Sequence, residues 1–179
     1  RIDPSHWQVE LASAVVGGVA LALAPDMRGV ALALLGWLLL PLILLDWRQY
    51  WLPDRLTGLL AIVGLAIGQF VSLQPLLPRL IGGVAGFLSL WLIALLYRRL
   101  RGREGLGGGD PKLFGAIGLW LGWMLLPFVL LMAALIGLAA ALPGGLHATR
   151  RLPFGTFLGL AAWCVAAFWV ARGSAPLTM

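Results

Sequence analysis

Two aspartates stand where an apolar chain rarely places a charge. Asp46 follows the run LLGWLLLPLILL with no polar spacer, and Asp110 follows Gly107, Gly108 and Gly109 and precedes Pro111. A charged aspartate at a membrane-helix centre costs about 2.5–3.5 kcal/mol, so such residues face a partner or a water-filled cavity. The simplest account of each one alone is an interfacial carboxylate satisfied by water or a nearby arginine. As a pair they offer more. Carboxylates held about 3 Å apart cannot both ionise easily, so one keeps its proton. The ionised member can activate a water while the protonated one donates to a scissile carbonyl. That is aspartic-protease chemistry, which needs neither a metal nor a nucleophilic side chain. A small transporter or channel using both aspartates as proton or cation sites is the alternative.

The residues around Asp110 favour a site over a cap. Asp110 can cap a helix that has Pro111 at its first position, but capping does not require three glycines. Glycines tolerate positive φ and let a substrate backbone approach. A phosphate cradle is not indicated, because no G-x-x-x-x-G-K-[ST] occurs. Asp54, beside Pro53, is expected to cap a helix, and Glu10 to sit at a helix start or interface. His6 and His147 are expected in solvated loops, and Cys164 as a small apolar filler. One cysteine supports neither a disulfide framework nor a cysteine-based zinc site.

The elements that must position these residues are membrane helices. Of the 179 residues, 61% are hydrophobic and 11% charged, against about 25% charged in a soluble domain. Apolar stretches cover residues 9–24, 29–45, 54–73, 79–97, 111–123, 124–142 and 153–171, giving about seven transmembrane helices of an all-α fold. The stretch after Asp110 is short. With the N-terminus in the cytoplasm, Arg1, Arg48, Arg55, Arg98, Arg99, Arg101, Arg103, Lys112, Arg150 and Arg151 fall inside, and Arg28, Arg79 and Arg172 outside. This follows the positive-inside rule, provided 111–123 and 124–142 are two helices. The net charge of +6 is therefore read as topology and contact with anionic lipid, not as nucleic-acid binding. Trp47, Tyr50, Trp51, Tyr97, Trp120 and Trp123 are expected in interfacial belts. Asp46 and Asp110 both fall at cytoplasmic helix ends and are expected to face one polar cavity.

The motifs resemble a known family. Asp46 to Thr57, DWRQYWLPDRLT, resembles the first catalytic motif of type IV prepilin peptidases: an aspartate, an intervening stretch, Pro53-Asp54, then a hydrophobic-Thr pair. Gly107 to Leu113, GGGDPKL, resembles their second motif, Gly-x-Gly-Asp with a lysine two positions on. The following LFGAIGLWLGW is similar too, as is Pro153-Phe154-Gly155, where the family often has PFGPF. The resemblance implies one membrane-embedded aspartic endopeptidase domain over 1–179. It would cleave the basic leader of type IV prepilins, or of type II secretion pseudopilins, at the cytoplasmic face of the bacterial inner membrane. Asp46 and Asp110 become the implied catalytic pair, with Gly107 and Gly109 shaping the loop and Pro53 and Asp54 completing the first motif. Lys112 is implied to orient Asp110 or meet substrate. Substrate is expected through a lateral opening near Asp110, with Glu10, Asp54 or Glu104 attracting the basic leader. Longer members carry a cytoplasmic domain with zinc-binding cysteines and N-methylate the new terminus using S-adenosylmethionine. No such domain occurs in these residues, so methyl transfer, metal and cofactor are not expected of them. Presenilin-like proteases share Gly-x-Gly-Asp but carry Pro-Ala-Leu near the C-terminus, where this chain has PFGTF.

Overall fold

The computed structural model describes residues 6–102, 106–142 and 153–173, and all elements among them are helices. They are α1 (His6–Leu23), α2 (Met27–Gln49), α3 (Asp54–Ile67), α4 (Gln69–Ser72), α5 (Leu76–Arg101), α6 (Asp110–Leu121), α7 (Leu126–Ala141) and α8 (Phe154–Ala171). α2, α5 and α8 are long and apolar enough to cross a membrane, and α1 and α7 are shorter apolar helices. The chain is thus an all-α multi-pass membrane protein. His6 opens α1 and does not sit in a loop. Arg1, Arg103, Glu104, His147, Arg150 and Arg151 lie outside the described residues.

Local chemistry sets the helix ends. Asp26 caps α2 by accepting from the Arg28 backbone N–H at 2.9 Å, and its other oxygen pairs with the Arg28 guanidinium at 2.9 Å. Such a cap satisfies one of the orphan N–H groups of a first turn. At the far end of α5, Gly102 takes φ 63° and closes the helix after Arg98, Arg99 and Arg101. Cations in a last turn complement the helix dipole.

α6 is the axis of the bundle. Its 12 residues span about 18 Å, short of the roughly 30 Å hydrocarbon core. Leu113, Phe114, Ile117, Trp120 and Leu121 are all buried, and α3, α4, α5, α7 and α8 surround them. Against α5 the contact is backbone on backbone. A Cβ on Gly82 would stand 2.7 Å from the Gly118 carbonyl oxygen, and one on Gly118 would collide with the Gly82 carbonyl. Small residues let membrane helices approach this closely, and dispersion then replaces the hydrophobic effect as the driving force.

Three expectations change at this level. The stretch 54–73 is not one helix: it ends at Gly68 and resumes as α4, which closes on Leu73 at φ 56°. A Cβ on Gly68 would meet the Leu119 carbonyl and the Trp120 backbone at 2.9 Å, so the break sits where α6 presses closest. Arg79 is not an interfacial marker. It is 1% exposed and donates to the Leu119 carbonyl at 2.9 Å, the Leu65 carbonyl at 2.8 Å and the Gly64 carbonyl. Those oxygens lie near the C-terminal ends of α3 and α6, where a cation is favoured. Trp120 leaves the interfacial set as well. It is fully buried, with its indole N–H donating to the Leu60 carbonyl at 2.8 Å, whereas Trp47, Tyr50, Trp51, Tyr97 and Trp123 are exposed. Cys164 faces outward on α8.

Candidate active site

Asp46 lies within α2, not beyond its end, and its carbonyl accepts from the Tyr50 N–H at 2.9 Å. Its side chain is 5% exposed and turns toward the first turn of α8. The first N–H groups of any helix have no intrahelical acceptor. In α8 the Thr156 N–H finds one in Asp46 Oδ2, at 2.6 Å. The Thr156 hydroxyl stands 3.1 Å from the same oxygen and 3.2 Å from the Ile43 carbonyl.

Asp110 opens α6 and is 4% exposed. It does not cap the helix, whose N-cap is Gly109 with no side-chain cap bond. Its carboxylate folds back on the glycine loop: Oδ2 accepts from the Gly107 N–H at 3.0 Å, while the Asp110 N–H donates to the Gly107 carbonyl at 3.2 Å. The glycines do not supply positive φ as expected. Gly109 is in the ordinary right-handed region at φ −83°, and the positive-φ glycines among the described residues are Gly102, Gly122 and Gly173. What Gly109 needs is space, because a Cβ there would come 2.7 Å from the Leu52 Cβ. At Gly107 a Cβ would stand 3.1 Å from Asp110 Oδ2.

The two carboxylates meet over Gly155. A Cβ on that residue would lie 3.0 Å from Asp46 Oδ2, 3.1 Å from Asp110 Oδ1 and 2.9 Å from Leu52 Cδ1. The oxygens are thus no farther apart than the first two distances laid end to end. Three separate stretches of sequence, the end of α2, the glycine loop and the opening of α8, converge at one end of the bundle. Residues 33–142 match the type IV leader peptidase family.

The chain belongs to that family. It is 40% identical over 176 residues to the prepilin leader peptidase/N-methyltransferase of Aeromonas hydrophila, covering 94% of this chain and 59% of that protein. The protein of the same name in Burkholderia pseudomallei is 42% identical over 156 residues, 84% of this chain and 50% of the relative. In Pseudomonas aeruginosa the figures are 37% over 169 residues, 90% and 57%. The chain therefore spans between half and three fifths of the length of these relatives. No solved structure matches it.

Two residues of the leader-peptidase motifs sit away from the carboxylate pair. Lys112 reaches Asp54, not Asp110, with Nζ 2.7 Å from Asp54 Oδ1 in a pair open to solvent. Asp54 lies in the first turn of α3 and makes no cap bond. The helix is capped at Pro53, whose carbonyl accepts from the Thr57 N–H at 3.1 Å and from its hydroxyl at 3.2 Å. An exposed pair of this kind contributes about 0–1 kcal/mol. Asp54→Asn and Lys112→Gln are accordingly expected to leave thermal melting in detergent nearly unmoved. Among the described residues, no three His, Cys, Asp or Glu side chains are grouped as a metal would need. Gly155, Thr156 and Leu52 were not singled out from sequence as site residues. The PFG opening of α8 is the signal for Gly155 and Thr156, and Leu52 stands directly before Pro53 in the first motif.

Proposed function

We propose that the protein is a membrane aspartic endopeptidase that removes the basic leader of a type IV prepilin or type II secretion pseudopilin. The juxtaposition of two buried carboxylates over Gly155 carries this reading, and membership of the leader-peptidase family supports it. In this reading Asp46 and Asp110 are the catalytic pair: one is ionised and activates water, the other is protonated and polarises the scissile carbonyl. Gly107 and Gly109 keep the loop around Asp110 clear, and Pro53 sets the turn after Asp46. Lys112 and Asp54, paired on the surface, are left to meet the leader. The substrate's apolar helix stays in lipid and enters from the side, while its leader lies at the membrane surface.

The site is proposed to face the cytoplasm across the bacterial inner membrane. Arg98, Arg99 and Arg101 close α5 at the end from which α6 and Asp110 begin, and such clusters mark the cytoplasmic side. The test is cleavage of a leader-bearing prepilin by the purified protein, read as the mass of the product. A substrate left intact, together with proton or cation uptake into protein-loaded vesicles, would replace the peptidase with a transporter.

Gly155→Ala probes the geometry directly. The added methyl would meet both carboxylates and Leu52, and overpacking of this kind costs about 1–3 kcal/mol. If half of that cost falls on the catalytic arrangement, cleavage drops about two- to thirteen-fold. Wild-type kcat in this variant would show that the carboxylates do not act together across Gly155.

A further inference from the structure

We propose that Leu52 is a stopper over the carboxylate pair: its side chain fills the place that the scissile peptide and its water must take, and the turn 50–53 carries it out when substrate docks. The inference rests on the peptidase reading above and deepens it.

The position of Leu52 sets it apart from the rest of the core. It lies between α2 and α3 and is 7% exposed. A Cβ on Gly109 would stand 2.7 Å from its Cβ and 3.1 Å from its Cδ1, and one on Gly155 would stand 2.9 Å from its Cδ1. That last point is also 3.0 Å from Asp46 Oδ2 and 3.1 Å from Asp110 Oδ1. A leucine methyl and one oxygen of each carboxylate thus crowd around one point. Acid–base catalysis needs a water and a carbonyl within about 2.6–3.2 Å of such oxygens. An isobutyl group neither donates nor accepts, and dispersion contacts hold it in their place. Both carboxylates are buried, so water and peptide reach them only after something moves. Of the three groups nearest the shared point, Asp46 and Asp110 stand on helices and Leu52 on a turn.

The turn is built to let go. Among the described residues, the backbone of Trp51 and Leu52 makes no hydrogen bond to other backbone. Segments with few such bonds and few buried contacts open at the lowest cost. Tyr50 and Trp51 are 52% and 59% exposed, so the burial of Leu52 is what ties the turn down. Tyr50 ends α2 in the left-handed region at φ 53°, which an L side chain holds at a cost. Rotation there swings the turn and leaves α2 and Asp46 in place. Pro53 fixes the far end, its carbonyl accepting from the Thr57 N–H and hydroxyl.

A seated stopper weakens binding. Exposing a buried leucine makes the open form about ten- to a hundred-fold rarer than the closed one. Apparent affinity for substrate falls by the same factor. The closed form keeps the pair from peptides that cannot displace the leucine.

The experiment uses the full chain with Leu52→Ala, and with Leu52→Cys in a Cys164→Ala background. Leu52→Ala cuts the stopper back to a methyl. A water-soluble carbodiimide with glycinamide should then label Asp46 and Asp110 about ten-fold faster than in wild type, read by peptide mass and normalised to exposed Asp54. KM for prepilin should fall about ten-fold. A leucine that only fills the core would leave KM equal or higher. In Leu52→Cys, a water-soluble maleimide should react slowly with the free protein. It should react about ten-fold faster when prepilin is bound and Asp110→Asn prevents cutting. A core position would be covered further by bound substrate. Melting in detergent identifies any unfolded variant, and Leu52→Cys carries the test if Leu52→Ala does not fold. A KM at or above wild type in folded Leu52→Ala overturns the inference, as does a thiol in Leu52→Cys no more reactive with prepilin than without it. If the wild-type protein leaves prepilin intact, the peptidase reading fails, and carbodiimide labelling of Leu52→Ala still decides whether Leu52 covers the pair.

Discussion

Asp46→Asn and Asp110→Asn should each reduce leader cleavage by about 10²–10⁴-fold, the range for loss of a positioned acid or base. Asparagine keeps the size of the side chain and can still accept from the Thr156 or Gly107 N–H. It can neither ionise nor share a proton. Both side chains are buried, so removing the charge of the ionised member relieves a desolvation cost, the protonated member is exchanged for a neutral amide of the same size, and the melting temperature should stay equal or rise. Initial rates and melting curves on the same preparations separate chemistry from fold. Asp54→Asn is the control, because its carboxylate is tied to Lys112 at the surface. An inactive Asp54→Asn beside an active Asp46→Asn would move the first catalytic carboxylate to Asp54.

Gly118→Val should destabilise the fold by about 3 kcal/mol or more. Overpacking typically costs about 1–3 kcal/mol where a side chain can yield. At Gly118 the obstacle is the carbonyl of Gly82, and a backbone carbonyl yields only if α5 and α6 separate. That separation would break the contact of Gly83 with Leu119 and of Gly86 with the Phe114 carbonyl, and would carry Asp110 out of place. Gly58→Ala is the counterpart. It lies in α3 with nothing near a new Cβ, and alanine favours a helix over glycine by about 1 kcal/mol. Thermal unfolding in detergent should rank Gly58→Ala at or above wild type and Gly118→Val far below. Equal melting of the two would mean the helices do not meet on backbone.

The sequence made the pair legible through cost. Carboxylates beside apolar stretches need a reason, and placing both at one end of the bundle followed from counting spans and arginines. The short helix after Asp110, and its separation from the helix that follows, were legible as well. What escaped was long-range. A carboxylate next to lipid reads as a helix end, yet α2 runs on to Gln49 because the DWRQ backbone still finds carbonyl partners. Nothing local distinguishes Arg79 from a topology marker, since its three acceptors come from α3 and α6. The glycines before Asp110 carry a conformational signal, but their use is steric, against Leu52 and the carboxylate itself. Thr156 reads only as part of a helix opening until α8 is seen to deliver it to Asp46.

That delivery spans 110 residues of chain. α8 is synthesised after α1 to α7, so a nascent chain can hold both aspartates in the bilayer and still lack the donors and the Gly155 surface over which they meet. In the peptidase reading proposed above, the pair would thus become competent only once α8, the last of the described helices to be made, has docked.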